Sequence, residues 1–414
     1  MTSASEPSRD DADIAMARLD ALAACTDEPG RITRLAFSPA LRDANARVLA
    51  WMREAGMAAG IDAAGNVVGR WEAETAGASA VMIGSHLDTV RDGGRYDGPL
   101  GVVAGIAVVE RLRREGRRLP LAVEVIGFAD EEGVRFGGSI LGSAAVAGTL
   151  APDWRERRDA DGIDAATALR SFGVDPDGVG AASRRRDPPA AYLELHIEQG
   201  PALEDADVPL GCVTAIAGAT RLLVTVDGTA GHAGTVPMRL RRDALAAAAE
   251  CVLAVERLCA GAEAVGTVGH LRVAPDAVNV IPGRVRFSVD IRAAQDEVRT
   301  RLVDAALAEF QASARRRRVE LAWQVTSRTE TTPCSPRLVE ALAGVLAGMG
   351  LPAPRLASGA GHDGIAVSAI TEIGMLFLRC AGGISHHPAE SVTVADVRLG
   401  IEALHRWSLA LRRG

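Results

Sequence analysis

The chain has 414 residues, 48% of them hydrophobic, and a formal net charge of -7. That length exceeds what one hydrophobic core usually fills, so two domains are expected, and the apolar content excludes a disordered chain. With 46 basic against 53 acidic residues the surface lacks the positive excess a polyanion demands, which disfavours nucleic acid and leaves small molecules as partners.

Six cysteines (Cys25, Cys212, Cys251, Cys259, Cys334, Cys380) show no CxxC spacing. They indicate neither a thiolate zinc site nor a disulfide framework, and read as small buried hydrophobes. Glu6, Asp10, Asp11 and Asp13 stand where a signal peptide needs positive charge. No segment is apolar for the roughly 18 residues of a membrane span. A cytoplasmic chain with no membrane partner is the expectation.

In chain order, helical periodicity covers Ile14 to Leu22 and Ala40 to Glu54, and "GNVVGRW" and "ASAVMIGSH" read as strands. From Pro99 a helix runs through "LGVVAGIAVVERLRREG". The strand "LAVEVIGFA", an irregular segment and the strand "AAYLELHIE" follow. After Cys212 the order becomes strand "RLLVTVDG", helix "RRDALAAAAECVLAVERLC", strands "AVGTVGHLRVA" and "GRVRFSVDIRA", helix "DEVRTRLVDAALAEFQASARRR" and strand "VELAWQVTS". That β-α-β-β-α-β order is ferredoxin-like. The helix "SPRLVEALAGVLAGM" and the strand "GMLFLRC" complete the series. The expected fold is therefore α/β, a domain with a mixed, mainly parallel sheet flanked by helices, interrupted by a ferredoxin-like α+β insert. Its boundaries are residues 1–212 and 331–414 for the first domain and 213–330 for the insert.

The chemistry gathers at strand ends. "MIGSHLDTV" places His86 and Asp88 after an apolar run, "VEVIGFADEEG" ends in Glu131 and Glu132, "YLELHIEQG" carries His196, and "GMLFLRCAGGISHHPAE" leads to His386 and His387. Asp97 joins them in "RYDGPLG", at the mouth of a helix. In an open α/β sheet the carboxyl ends of the strands form the ligand crevice, so groups scattered along the sequence converge there. One such histidine alone reads as a satisfied structural group; four strand ends repeating the habit do not. Imidazole and carboxylate without cysteine suit zinc, manganese or cobalt, and the count exceeds what one four-coordinate ion needs. Two ions sharing a carboxylate would use it. Of the adjacent pair Glu131 and Glu132, one side chain can hold metal while the other faces water, the arrangement of a general base.

The motifs "GSHLDTV", "YDGPLG", "DEEGVRFGGSILGS", "ELHIEQGP", "GHAGTVPM", "NVIPG" with "DIR", "SGAGHD" and "GISHHPAE" resemble those of the dinuclear amidohydrolases that comprise allantoate amidohydrolases, N-carbamoyl-L-amino-acid hydrolases and β-ureidopropionases. They extend from Gly84 to Glu390, with "HDG" where relatives often have "HDA". The resemblance implies a catalytic domain holding two divalent ions, Mn or Zn, and a lid domain that also makes a homodimer. It implies His86, Asp97 and His196 for one ion, and Asp97, Glu132 and His386 for the other, with Asp97 bridging. It further implies Glu131 as general base, Asp88 orienting His86, and His387 outside the ligand set. His232, Asn279, Arg292, Gln199, Arg221, Gly361 and His362 would complete the substrate site.

Elementary chemistry agrees with two of these roles. Arg292 ends the alternating strand "VRFSVDIR", and a planar guanidinium matches a carboxylate bidentately. His232 lies between glycines after a strand, where it could stabilise a developing oxyanion. The implied reaction is hydrolysis of the ureido C–N bond of allantoate to ureidoglycine, ammonia and carbon dioxide, "GTVPM" and "LGSAAVAG" resembling plant-type allantoate amidohydrolases most. The rival is an N-carbamoyl-L-amino-acid hydrolase or β-ureidopropionase using the same residues. A catalytically silent binding protein is disfavoured by retention of Glu131 and every implied ligand.

Overall fold

The computed structural model describes residues 10–411, so Glu6 lies outside the described residues. Asp10 caps α1 (Asp11–Ala23) and Ser38 caps α2 (Pro39–Glu54), each side chain accepting a main-chain N–H of the first turn. Short strands β1 (Ala58–Ile61) and β2 (Val67–Trp71) precede β3 (Ala80–His86). Pro99 opens α3 (Pro99–Arg114), and β4 (Ala122–Phe128) follows. The segment expected to be irregular contains α4 (Leu141–Ala147) and α5 (Ala165–Phe172). Every residue of α4 is buried, so its sequence shows no polar face to betray a helix.

Next come β5 (Ala191–Ile197), the one-turn α6 (Ala202–Asp205), β6 (Leu210–Ile216), β7 (Gly218–Asp227), β8 (Gly231–His232) and α7 (Ala244–Ala260). Then β9 (Ala264–Thr267), β10 (Leu271–Ala274), β11 (Val280–Ile281), β12 (Arg284–Ala293), α8 (Asp296–Arg317) and β13 (Glu320–Thr329) follow. The chain finishes through β14 (Thr332–Pro333), α9 (Pro336–Gly348), β15 (Arg355–Ser358), α10 (Gly364–Val367), β16 (Ile373–Leu378) and α11 (Val394–Leu409).

The large sheet has the order β1-β2-β4-β3-β5-β16-β6-β14, with β15 on β6. Its centre, β4, β3, β5 and β16, is parallel, and antiparallel pairs lie on both sides. Each central strand is buried along its whole length. Burial on both faces is what turns alternation into continuous apolar runs. Helices α1, α3 and α11 pack on one another, and α3 lies on β3, β4 and β5.

Contacts divide the described chain into two compact units, one running to Thr214 and including Cys334–Leu356 and Ala360 onwards, the other Ala215–Pro333 with Ala357–Gly359. The second unit has a sheet ordered β10-β12-β7-β13, with β9 also on β12. The single strand expected over "AVGTVGHLRVA" is thus broken in two, β9 and β10 both pairing with β12. Alternation is clean in β7 and β12: Leu222, Val224, Val226, Val285, Phe287, Val289 and Ile291 form one core with Cys251 and Val255 of α7 and Leu302 and Phe310 of α8. The opposite face of these strands is mostly polar, with Arg221, Thr225, Arg286, Ser288, Asp290 and Arg292 beside Leu223. All six cysteines are free and buried. Among the described residues no helix is long and apolar enough to cross a membrane.

Candidate metal centre

Because β3, β4, β5 and β16 run parallel, their carboxyl ends open on one edge of the sheet, and that edge collects the titratable side chains. They converge on one carboxylate. Asp97 Oδ1 lies 3.2 Å from His196 Nε2 and 3.8 Å from His86 Nε2, while Asp97 Oδ2 lies 3.1 Å from His386 Nε2. His386 Nε2 is in turn 3.6 Å from Glu132 Oε1. Asp97 Oδ1 thus faces two imidazoles and Oδ2 a third, which in turn faces Glu132. Ligand atoms of His86, Asp97 and His196 lie within 4.8 Å of one another, as do those of Asp97, Glu132 and His386.

Local backbone chemistry sets this geometry. Asp97 precedes Gly98, the N-cap of α3, where the helix dipole favours a carboxylate. Gly98 has a φ of +85°, and a Cβ there would lie 2.5 Å from the His86 ring, so the position needs glycine twice over. The ring of His86 is turned by its Nδ1, 3.0 Å from the main-chain oxygen of Asp88, and that of His196 by its Nδ1, 2.8 Å from the oxygen of Ile197. A carbonyl only accepts, so Nδ1 carries the proton in both rings and Nε2 presents its lone pair to the cluster. His196 Nε2 is buried and makes no aligned hydrogen bond. A lone pair facing carboxylate oxygens calls for a cation between them, and the ligand set fits a divalent metal.

The charges concur. Burial alone would raise the Asp97 carboxyl, but the close rings of His196, His386 and His86 hold it well below the usual range. Burial pulls His86 and His196 down, yet Asp97 and the neighbouring carboxylates together outweigh it and lift both rings, so a proton and a metal compete for the same Nε2 atoms. Burial pushes Glu132 up to about 7 and Glu131 well above the carboxylate range, helped by neighbouring carboxylates. Asp130 and Asp363, both fully buried, are raised in the same way. Such a concentration of acids out of water is what a multivalent cation neutralises.

Two of the expected residues take partners inside the cluster. Asp88 does not orient His86 through its carboxylate, whose Oδ1 is 3.7 Å from Nδ1; the main-chain oxygen does so. Its carboxylate instead accepts the N–H groups of Glu131 and Glu132, at 3.0 and 3.1 Å. Gln199, expected as a substrate contact, donates from Nε2 to Asp97 Oδ2 (3.0 Å) and Ser385 Oγ (3.1 Å), the buried carboxylate being the strongest acceptor in reach. Gly361 and His362 are at the cluster: a Cβ on Gly361 would lie 3.8 Å from Glu131 Oε1, and the His362 ring stands edge-on to His196 at 4.5 Å. Burial and the neighbouring His196 push His362 well below its ordinary value. His387 is exposed and accepts from Ala389 N, outside every ligand group of the described residues.

Sequence reasoning gave no role to Asp130, Glu194, Asp363, Ser385 or Glu390. Asp130 and Asp363 sit beside motif residues already counted. Glu194 lay hidden inside the apolar strand "YLELHIE", where Ser85 and Tyr192 hydrogen-bond it at 2.7 and 2.9 Å.

The second unit carries the other expected residues. His232 on β8 is paired with Val280 on β11, and Asn279 adjoins that ribbon, its oxygen accepting Ala233 N at 2.9 Å. Arg221 and Arg292 meet on Asp290: Arg221 Nε donates to Oδ2 (3.0 Å), and Arg292 donates from Nε to Oδ1 (3.1 Å) and from Nη2 to Oδ2 (2.8 Å). Arg292 Nη1 also donates to Gly359 O at 2.7 Å. A guanidinium has five N–H groups, so two remain, one on each terminal nitrogen. Both arginines line a cavity of about 500 Å³ on this unit. A larger cleft of about 830 Å³ touches Val81 and Ala191, at the opposite ends of β3 and β5, and is lined by no histidine or carboxylate.

The sequence profile described as peptidase family M20/M25/M40 matches residues 82–410. An N-carbamoyl-L-amino acid amidohydrolase of Geobacillus stearothermophilus is 43% identical over 384 residues, covering 92% of this chain and 94% of that one. A probable allantoate deiminase of Oryza sativa subsp. japonica is 42% identical over 419 residues, covering 93% of this chain and 85% of its own length. Among solved structures, an amidase of the hydantoinase/carbamoylase family from Burkholderia multivorans superposes with a TM-score of 0.91 at 32% identity, covering 96% of this chain and 97% of its own.

Proposed function

Since the chain belongs to peptidase family M20/M25/M40 and is a metal-dependent hydrolase of amidohydrolase type, we propose that it cleaves the ureido C–N bond of a small carboxylate, allantoate, releasing ureidoglycine, ammonia and carbon dioxide. The observation that carries the reading is the division of Asp97, one oxygen towards His86 and His196 and the other towards His386, whose Nε2 in turn faces Glu132. Asp97 would be shared by two ions, His86 and His196 helping to hold one and Glu132 and His386 the other. Divalent ions held there, manganese or zinc, would supply Lewis acidity and make water acidic enough to deprotonate near neutrality.

The protein's own steps are proton handling and positioning. Glu131 takes a proton from the attacking water and returns it to the leaving nitrogen, a role suited to a buried carboxyl whose pKa lies above the ordinary range. His232 and Asn279 stabilise the oxygen that gains charge. Arg292 takes the substrate carboxylate on its two remaining N–H groups, while Asp290 fixes the guanidinium plane. Arg221, Gln199, Gly361 and His362 complete the substrate contacts. We propose a homodimer through the second unit, on which Leu253 and Val265 are 63% and 59% exposed.

A second reading, N-carbamoyl-L-amino-acid hydrolysis, has the support of the 43% identical relative. An assay of the manganese-loaded enzyme against allantoate, N-carbamoyl-L-amino acids and β-ureidopropionate separates them. Turnover highest on allantoate supports the first reading; turnover confined to carbamoyl amino acids replaces it with the second.

A further inference from the structure

Glu390 has no part in the roles assigned above, yet it is buried beside the cluster. Its Oε1 accepts the main-chain N–H groups of Tyr96 (2.8 Å) and Asp97 (3.1 Å). On its other side Ser385 Oγ lies 3.2 Å from Glu390 Oε2 and 3.1 Å from Asp97 Oδ2, so one hydroxyl links the two carboxylates. The chain is built around this side chain from both directions. A Cβ at Gly94 would overlap the Glu390 carboxylate, so the loop before α3 leaves room for it. On the other loop Glu390 N donates to His387 O at 3.0 Å, closing the turn that directly follows His386, itself at a left-handed φ of +55°. That conformation is strained for a non-glycine residue and persists only where the surroundings hold it.

We infer that Glu390 is a positioning residue that locks the loop bearing Asp97 to the loop bearing His386, and so fixes the distance across which the two metal positions share the Asp97 carboxylate. The inference rests on Asp97 being the bridging ligand. Asp97 and His386 belong to segments almost 300 residues apart in sequence, and no main-chain ladder joins those loops directly. Glu390 and Ser385 supply the missing join through hydrogen bonds to main chain and side chain. The role is geometric: it needs an acceptor at Oε1, not a negative charge.

The experiment measures manganese binding to the full-length metal-free protein by equilibrium dialysis, with electron paramagnetic resonance to distinguish coupled pairs from isolated ions. Glu390→Ala is expected to weaken binding of the second ion by about 10- to 100-fold, the scale for losing an outer partner of a ligand, and to replace the coupled-pair spectrum with that of single ions. Gly94→Ala, which leaves Glu390 in place but displaces its carboxylate, is expected to do the same and stands in if Glu390→Ala does not fold. Glu390→Gln keeps the acceptor and should bind within about threefold of the parent, because a neutral carbonyl still takes both N–H groups. Wild-type affinity and a coupled spectrum in Glu390→Ala, or in Gly94→Ala if that is the variant that folds, overturn the inference. Glu390→Gln as weak as Glu390→Ala overturns the geometric role in favour of charge. Asp97→Ala is the control: if it retains two coupled ions, the bridging assignment itself fails, whatever Glu390 does.

Discussion

The Asp88 carboxylate accepts the main-chain N–H of Glu131 at 3.0 Å and that of Glu132 at 3.1 Å, tying the end of β3 to the turn that follows β4. One side chain therefore sets the direction of both the proposed base and a proposed ligand. Asp88→Asn offers one acceptor and turns an amide donor on the other N–H, leaving a buried donor unpaired at about 1–3 kcal/mol. Turnover is expected to fall by about 10- to 100-fold with the fold intact by circular dichroism. Wild-type turnover in this variant would show that the turn holds itself.

Glu131→Gln should retain both ions by metal analysis and lose turnover by roughly 100-fold or more, the scale of removing a general base. The amide is isosteric and the main-chain N–H of residue 131 still reaches Asp88, so any loss is chemical. Near-normal turnover with metal bound would move the proton transfer to another group.

Stability of the metal-free protein should depend on pH with a definite sign. Burial lifts Glu132 from 4.5 to about 7, and the Asp97 contact lifts His386 from 6.5 to about 9. In both cases the folded state holds its proton more tightly than the unfolded state. The stabilisation is complete below the unfolded value and is lost as pH rises through the folded one, across 4.5–7 for Glu132 and 6.5–9 for His386. The Tm of the metal-free protein is therefore expected to fall from about pH 5 to about pH 9, and manganese to flatten that fall by displacing the same protons. Glu132→Gln should remove the lower part of the slope. A metal-free Tm that rises with pH over this range, or a slope indifferent to Glu132→Gln, would contradict the charge assignment.

Arg292→Lys tests how the substrate is read. Lysine keeps the charge but cannot fill the Asp290 fork, reach Gly359 O and still present two parallel N–H groups. Loss of a charge-assisted bond of about 1.5–3 kcal/mol corresponds to roughly a 10- to 150-fold fall in kcat/KM on allantoate. A smaller proportional fall is expected on its carboxamide analogue. Equal falls on both would assign Arg292 to holding the second unit together.

What the sequence determined by itself was whatever is periodic or local. The alternation in "VRFSVDIR" and the apolar runs ending in His86 and His196 declared β12, β3 and β5, because pleat and double burial act residue by residue. Strand ends carrying histidines and carboxylates then marked the metal edge, since parallel strands must open their carboxyl ends on one side. Tertiary structure alone decided the pairings. That the Asp88 carboxylate serves Glu131 and Glu132, and that Glu390 reaches Tyr96 and Asp97, depend on chain segments meeting in space. No spacing rule encodes them. Helix α4 was hidden for the same reason, being buried on every side and so without a polar face to give it period.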